Sequence, residues 1–171
     1  TIVAQLQALG CNCVGLTGAD ADLVRAHRRT HPTIDFGFVG DVDAVNTRVL
    51  DMFLTNGMSV VVAPLTHDGN GTLLNTNADT MAAEIAMAIR HRSPQLAYLF
   101  EYPGVMRHID DVTSMIPRID PDEVDEYVEQ GVITKGMLPK ITNAVRAARS
   151  GVSVIIQHAD ALGTTVGTVI G

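Results

Sequence analysis

Residues 65–89, LTHDGNGTLLNTNADTMAAEIAMAI, confine the chain more than any other stretch, because a turn, a strand end and a helix start follow one another within it. Asp68-Gly69 is a turn dipeptide, and Gly71 and the apolar pair Leu73-Leu74 come after it. An alanine-rich helical pattern then runs over 78–89. Asn77 suits the N-cap of that helix, and Asp79 falls in its first turn, where the dipole favours a carboxylate. Capping alone accounts for any one of these residues. Taken together, Asn75, Asn77 and Asp79 stand at i, i+2 and i+4 across a strand-to-helix junction, where open α/β sheets gather ligands. Two amides there can grip a substrate while a carboxylate positions a cation.

The same alternation continues along the chain. Residues 1–9 read as the last turns of a helix ended by Gly10, and a helix opening without a cap is expected in the back portion of a longer chain. Strands are predicted at 11–16, at 35–42 with a glycine bend, and at 59–63, 96–100 and 152–156. Helices are predicted at 46–56, 78–89, 120–130 and 138–150. The apolar run 59–63 is of the kind buried on both faces of a parallel sheet. Residues 23–31, LVRAHRRTH, read as a solvated loop or edge strand; a phosphate patch is the alternative, though no aromatic residues are interleaved for stacking. This order predicts an α/β fold, a three-layer α/β/α sandwich with a mainly parallel central sheet.

With 171 residues, 46% of them hydrophobic and 18% charged, the chain can build one substantial core or two small lobes. Aromatics are only 4% and Trp is absent, so the core must be aliphatic. The net charge of −7 argues against nucleic acid and against anionic membranes as partners. No uninterrupted apolar run reaches the roughly 18 residues of a membrane span, and no charged leader precedes an apolar signal core. The expected location is cytoplasmic. Cys11 and Cys13 form C-x-C without a second ligand pair and are expected to be reduced thiols.

No P-loop, no G-x-G-x-x-G after a strand, no H-E-x-x-H and no G-x-S-x-G occurs. The histidines, His27, His31, His67, His91, His108 and His158, lack metal-ligand spacing, and no protein-held metal is expected. Lys135 and Lys140 are the only lysines. Lys140 falls in the first turn of a helix after a glycine-flanked loop, where it can meet a phosphate drawn to the helix N-terminus. The alternative is an exposed, silent lysine.

LLNTNADT at 73–80, VITKGMLPKITN at 132–143, FGFVGD at 36–41, VVAPLTHDGNG at 61–71 and the closing Gly167-Thr168 together resemble the acetylglutamate kinases of the amino-acid kinase family, over essentially the whole chain. That family transfers the γ-phosphoryl of ATP to the side-chain carboxylate of an N-acylglutamate, giving an acyl phosphate for arginine biosynthesis. The resemblance implies that Asn75, with Asn77 beside it, binds the acylglutamate. It implies that Asp79 organises the catalytic lysines and that Lys140 stabilises the transferring phosphoryl group. For ATP it points to Glu101, Tyr102, Pro103, Gly104, Val105 and Met106, and to Val132, Ile133 and Thr134, with Mg²⁺ carried on the nucleotide. Phosphoryl transfer needs positioning and charge neutralisation more than a covalent nucleophile.

On this resemblance residues 1–74 are the remainder of an acylglutamate-binding lobe and 75–171 a nucleotide-binding lobe. The expected partners are N-acylglutamate and ATP, in a homo-oligomer. The family's N-terminal lysine and glycine pair, its second glycine-rich loop and its substrate-binding arginine are not matched, and Glu101 stands where Asp is commoner. The chain alone is therefore expected to be inactive. Two rival readings stay open: another family member acting on carbamate or aspartate, and a non-catalytic nucleotide- or amino-acid-binding module that keeps Asn75 and Gly104 but has no need of Lys140.

Overall fold

In a computed structural model, which describes residues 2–134 and 136–171, helix α1 (Ile2–Ala8) stops at Gly10, whose φ of 81° glycine adopts without strain. The chain divides into two units, one running to Met81 and the other from Ala82 to Gly171. The division falls inside a helix, downstream of residue 74.

The first unit holds β1 (Cys13–Leu16), β2 (Val24–Arg28), β3 (Gly40–Val45), α2 (Thr47–Thr55), β4 (Ser59–Val62), β5 (Leu65–His67), β6 (Leu73–Asn75) and the start of α3 (Ala78–Ala88). Strands β1 and β4 pair in parallel, with Cys13 opposite Ser59 and Leu16 opposite Val62. A second sheet has the order β3-β2-β5-β6; β2 runs parallel to β5, while β2–β3 and β5–β6 are antiparallel.

Of residues 23–31, expected as a solvated loop or an edge strand, 24–28 are neither, while 29–31 are exposed and irregular. Strand β2 is interior to its sheet, with Val24 and Ala26 buried and Arg25, His27 and Arg28 turned out. A period-two alternation lay beneath the basic residues. Strand β3 begins only at Gly40; before it, Asp35 accepts hydrogen bonds from Gly37 N–H and the Arg28 guanidinium, which folds the segment into a turn. Residues 60–62 are half-buried rather than enclosed on both faces, because β4 belongs to a sheet of two strands.

The second unit holds β7 (Gln95–Phe100), β8 (Arg118–Ile119), α4 (Val124–Glu129), α5 (Leu138–Arg149), β9 (Ser153–His158) and β10 (Thr168–Ile170). Its sheet has the order β7-β9-β10-β8; β7–β9 and β8–β10 are parallel and β9–β10 antiparallel. Parallel pairing therefore predominates over the chain, and the fold is α/β. Helix α5 opens with Pro139 in its first turn and gives way to Gly151, at a φ of 90°. Ile141, Ala144 and Ala147, at helical spacing and all 0% exposed, face a core shared with Tyr98, Val154 and Ile156. Small residues on α5 let the helix approach β9 closely. Strands β8 and β10, two and three residues long, are too short to leave a periodic signal.

Ile156 is 0% exposed. Ile156→Ala is expected to cost about 2–5 kcal/mol in urea denaturation, whereas Leu162→Ala on the surface should stay within about 0.5 kcal/mol. Equal costs at the two positions would contradict the assigned core.

Candidate functional site

The junction after β6 is built around a buried threonine. Thr76, 2% exposed, donates through its hydroxyl to the Gly40 carbonyl at 3.1 Å and lies 2.9 Å from the hydroxyl of Thr66, itself 0% exposed. Its backbone N–H bonds the Pro64 carbonyl at 3.0 Å, and the N–H of Asn75 bonds the Phe38 carbonyl at 2.7 Å. Gly40 must be glycine for this contact, since a Cβ there would meet Leu74 Cβ at 2.8 Å. With Thr76 anchored inward, Asn75 and Asn77 on either side are turned to solvent.

Asn77 acts as the N-cap of α3: its side-chain oxygen accepts from Thr80 N–H at 3.0 Å. Asp79 stands half-buried in the first turn. The structure brings Asn75, Asn77 and Asp79 to one strand-to-helix corner, with the oxygen of Asn77 already committed to the cap.

In the second unit the carboxyl end of β7 runs into a loop that borders a cavity of about 500 Å³. Of the residues expected at a nucleotide site, Tyr102, Gly104, Met106, Val132 and Thr134 line it. Val105 and Ile133 instead turn inward, 0% and 3% exposed, and Glu101 and Pro103 are not among the lining residues. Met137, the N-cap residue of α5, also lines the cavity, which therefore reaches the positive end of that helix.

The wall further includes Arg107, His108, Ile109 and Asp110, which sequence reasoning passed over although they directly continue residues 101–106. Arg107 lies over the Tyr127 ring, 5.4 Å from its centroid, and is held there by a cation–π contact. Lys140, in the first turn of α5, has its Nζ 4.6 Å from the centroid of the buried Tyr98 ring. Nothing in the sequence pattern tied that strand residue to the lysine. Lys135 lies outside the described residues.

The basic run of β2 is neutralised by carboxylates around it: Arg25 pairs with Asp22 at 2.6 Å, Arg28 with Asp35 at 2.7 Å and Arg29 with Asp41 at 2.5 Å. The phosphate-patch alternative has no support here. Arg25 and Arg29 hold Asp22 and Asp41 below the usual carboxylate range; for Asp35 the Gly37 N–H does so first and Arg28 second. His67 Nε2 lies 2.8 Å from Asp22 and its Nδ1 accepts from Gly69 N–H, so the ring serves the β5–β6 turn. Burial pushes the Cys13 thiol up, and both cysteines are free. Among the described residues no group of three or more His, Cys, Asp or Glu side chains could hold a metal ion, and no helix is long and apolar enough to cross a membrane.

Against known proteins, the model of the amino acid kinase family matches residues 1–158. The acetylglutamate kinase of Phocaeicola vulgatus is 48% identical over 171 residues, covering 99% of this chain and 66% of the relative. That of Cytophaga hutchinsonii is 50% identical over 164 residues, covering 94% of this chain and 62% of the relative. The chain thus spans just under two thirds of the length of these curated relatives. The crystal structure of smu.665 from Streptococcus mutans superposes with a TM-score of 0.81 at 31% identity, over 98% of this chain and 64% of that one.

Two measurements check this geometry. Asn77→Ala is expected to cost about 1 kcal/mol of thermal stability through the lost cap, while Asn75→Ala should change it by less than about 0.5 kcal/mol; equal costs would contradict the cap. The second concerns pH. Because the folded pKa values of Asp22, Asp35 and Asp41 lie below their unfolded ones, the stability they contribute is complete above the unfolded values and is lost as pH falls through the folded ones. Amide protection over residues 24–45 should therefore hold from neutrality to about pH 4 and decline below it. A decline centred above about pH 5 would contradict this assignment to the aspartates.

Proposed function

This chain belongs to the amino acid kinase family, and on that premise we propose that the protein carrying it phosphorylates the side-chain carboxylate of N-acetylglutamate, or another N-acylglutamate, with ATP, as a step of arginine biosynthesis in the cytoplasm. The observation that carries this reading is the cavity at the carboxyl end of β7, into whose wall the N-terminus of α5 brings Met137. A helix N-terminus attracts phosphate through its dipole and its N–H groups. Identities of 48% and 50% to relatives named acetylglutamate kinase favour an acylglutamate over carbamate or aspartate.

The nucleotide base and ribose lie against Tyr102, Gly104, Met106, Val132 and Thr134. Asn75, with Asn77 beside it, receives the acylglutamate. A side-chain carboxylate oxygen of that substrate attacks the γ-phosphorus in line, the bond to the β,γ-bridging oxygen breaks, and ADP leaves with the electron pair. No proton needs to be removed from the nucleophile, because it is already an anion. The chemistry is then a problem of like charges, which Lys140 eases by meeting the equatorial oxygens with a compact ammonium and Asp79 eases by orienting the catalytic lysines. Mg²⁺ rides on the nucleotide's phosphates and neutralises them.

In the full-length protein Lys140→Ala should lower kcat by about 10²–10³-fold while the dissociation constant for MgATP moves by less than about threefold. Turnover that survives the substitution would remove Lys140 from the mechanism. A parent protein that binds ATP but never turns over would instead be a binding module.

A further inference from the structure

We propose that Thr168 is a positioning residue of the nucleotide cavity: its buried hydroxyl fixes the backbone at Gly104 and Val105 and closes the neck of the loop that forms the cavity wall. The inference rests on the reading of that cavity as the nucleotide site.

Thr168 is 0% exposed and is not among the residues lining the cavity, so any influence it has on a ligand passes through the chain it holds. Its Oγ1 accepts from the Val105 N–H at 2.8 Å and donates to the Ile116 carbonyl at 2.6 Å. The same two residues bond each other directly, Ile116 N–H to the Val105 carbonyl at 2.8 Å. One hydroxyl thus ties both ends of a loop whose intervening residues Met106, Arg107, His108, Ile109 and Asp110 line the cavity. Only a hydroxyl can do this, since it gives and takes a hydrogen bond through a single atom. An apolar side chain of the same shape would leave a backbone N–H and a carbonyl unpaired where water does not reach.

Gly104 is shaped to the same contact. A Cβ at that position would lie 2.5 Å from Thr168 Oγ1 and 3.0 Å from the Met115 side chain, so the wall approaches the hydroxyl this closely only through glycine. Gly167 completes the arrangement from the other side. Its φ is 156°, and a Cβ there would meet the Ile156 carbonyl at 2.6 Å, so β10 settles onto β9 at the height that delivers the hydroxyl to Val105. The Gly167-Thr168 pair near the end of the sequence is explained by this clamp.

The test uses the full-length protein and its T168V, T168A and T168S variants, titrated calorimetrically with MgATP and separately with N-acetylglutamate after thermal melts establish which variants fold. T168V and T168A should weaken MgATP binding by about tenfold and leave N-acetylglutamate binding within about twofold, and T168S should restore MgATP binding to within about twofold of the parent. A folded T168V or T168A that binds MgATP like the parent overturns the inference, and so does a T168S as weak as T168V. Should neither hydroxyl-free variant fold, amide exchange on the parent decides: protection of the Val105 N–H equal to that of β9 supports the clamp, and exchange at the rate of an open loop overturns it. A parent that does not bind MgATP removes the nucleotide reading and the clamp with it; a binding parent with indifferent variants removes the clamp alone.

Discussion

Burial of β9 is the constraint on which the second unit depends. Residues 154–157 are all 2% exposed or less, and a strand so enclosed must find partners on both edges and cover on both faces. Strand β7 supplies one edge in parallel and β10 the other in antiparallel, while α5 brings Ile141, Ala144 and Ala147 against the sheet. The one polar member, Gln157, is satisfied by donating to the Ala161 carbonyl. The cavity follows from this packing. The parallel pairing sends the end of β7 into residues that border the cavity, and the antiparallel return of β10 brings Thr168 beneath them. A ligand site at the carboxyl end of a parallel strand is where α/β sheets place them.

The first unit solves a different problem with polar groups. Thr66 and Thr76 sit where aliphatic residues would be expected, and their hydroxyls join β5, the end of β6 and the start of β3. That anchor turns Asn75 and Asn77 outward together. Around β2 the arginines are taken up by aspartates on neighbouring turns and strands. Exposed pairs of this kind are each worth only about 0–1 kcal/mol, so they shape the surface more than they hold the fold.

Asn77 shows how one residue serves two demands. Its oxygen caps α3, which fixes the helix start and with it Asp79 in the first turn. Lys140 is held in a comparable way, its ammonium resting over the Tyr98 ring at the start of α5. In both cases local structure restricts the side chain.

The sequence by itself determined what is local in cause. The caps and glycine stops of α1, α3 and α5, the apolar stripe of α5 and the continuous apolar character of β9 are readable because helix capping and side-chain periodicity act over a few residues. The family was readable too, since N-T-N-A-D and G-M-L-P-K are contiguous strings, and with it the neighbourhood of the cavity. Only the tertiary structure decided that β2 is interior, that β8 and β10 exist, that Val105 and Ile133 face the core while Arg107 to Asp110 face the cavity, and that Tyr98 meets Lys140. Each of those depends on which distant strand lies alongside, and a two- or three-residue strand has no pattern of its own until a neighbour supplies its hydrogen bonds.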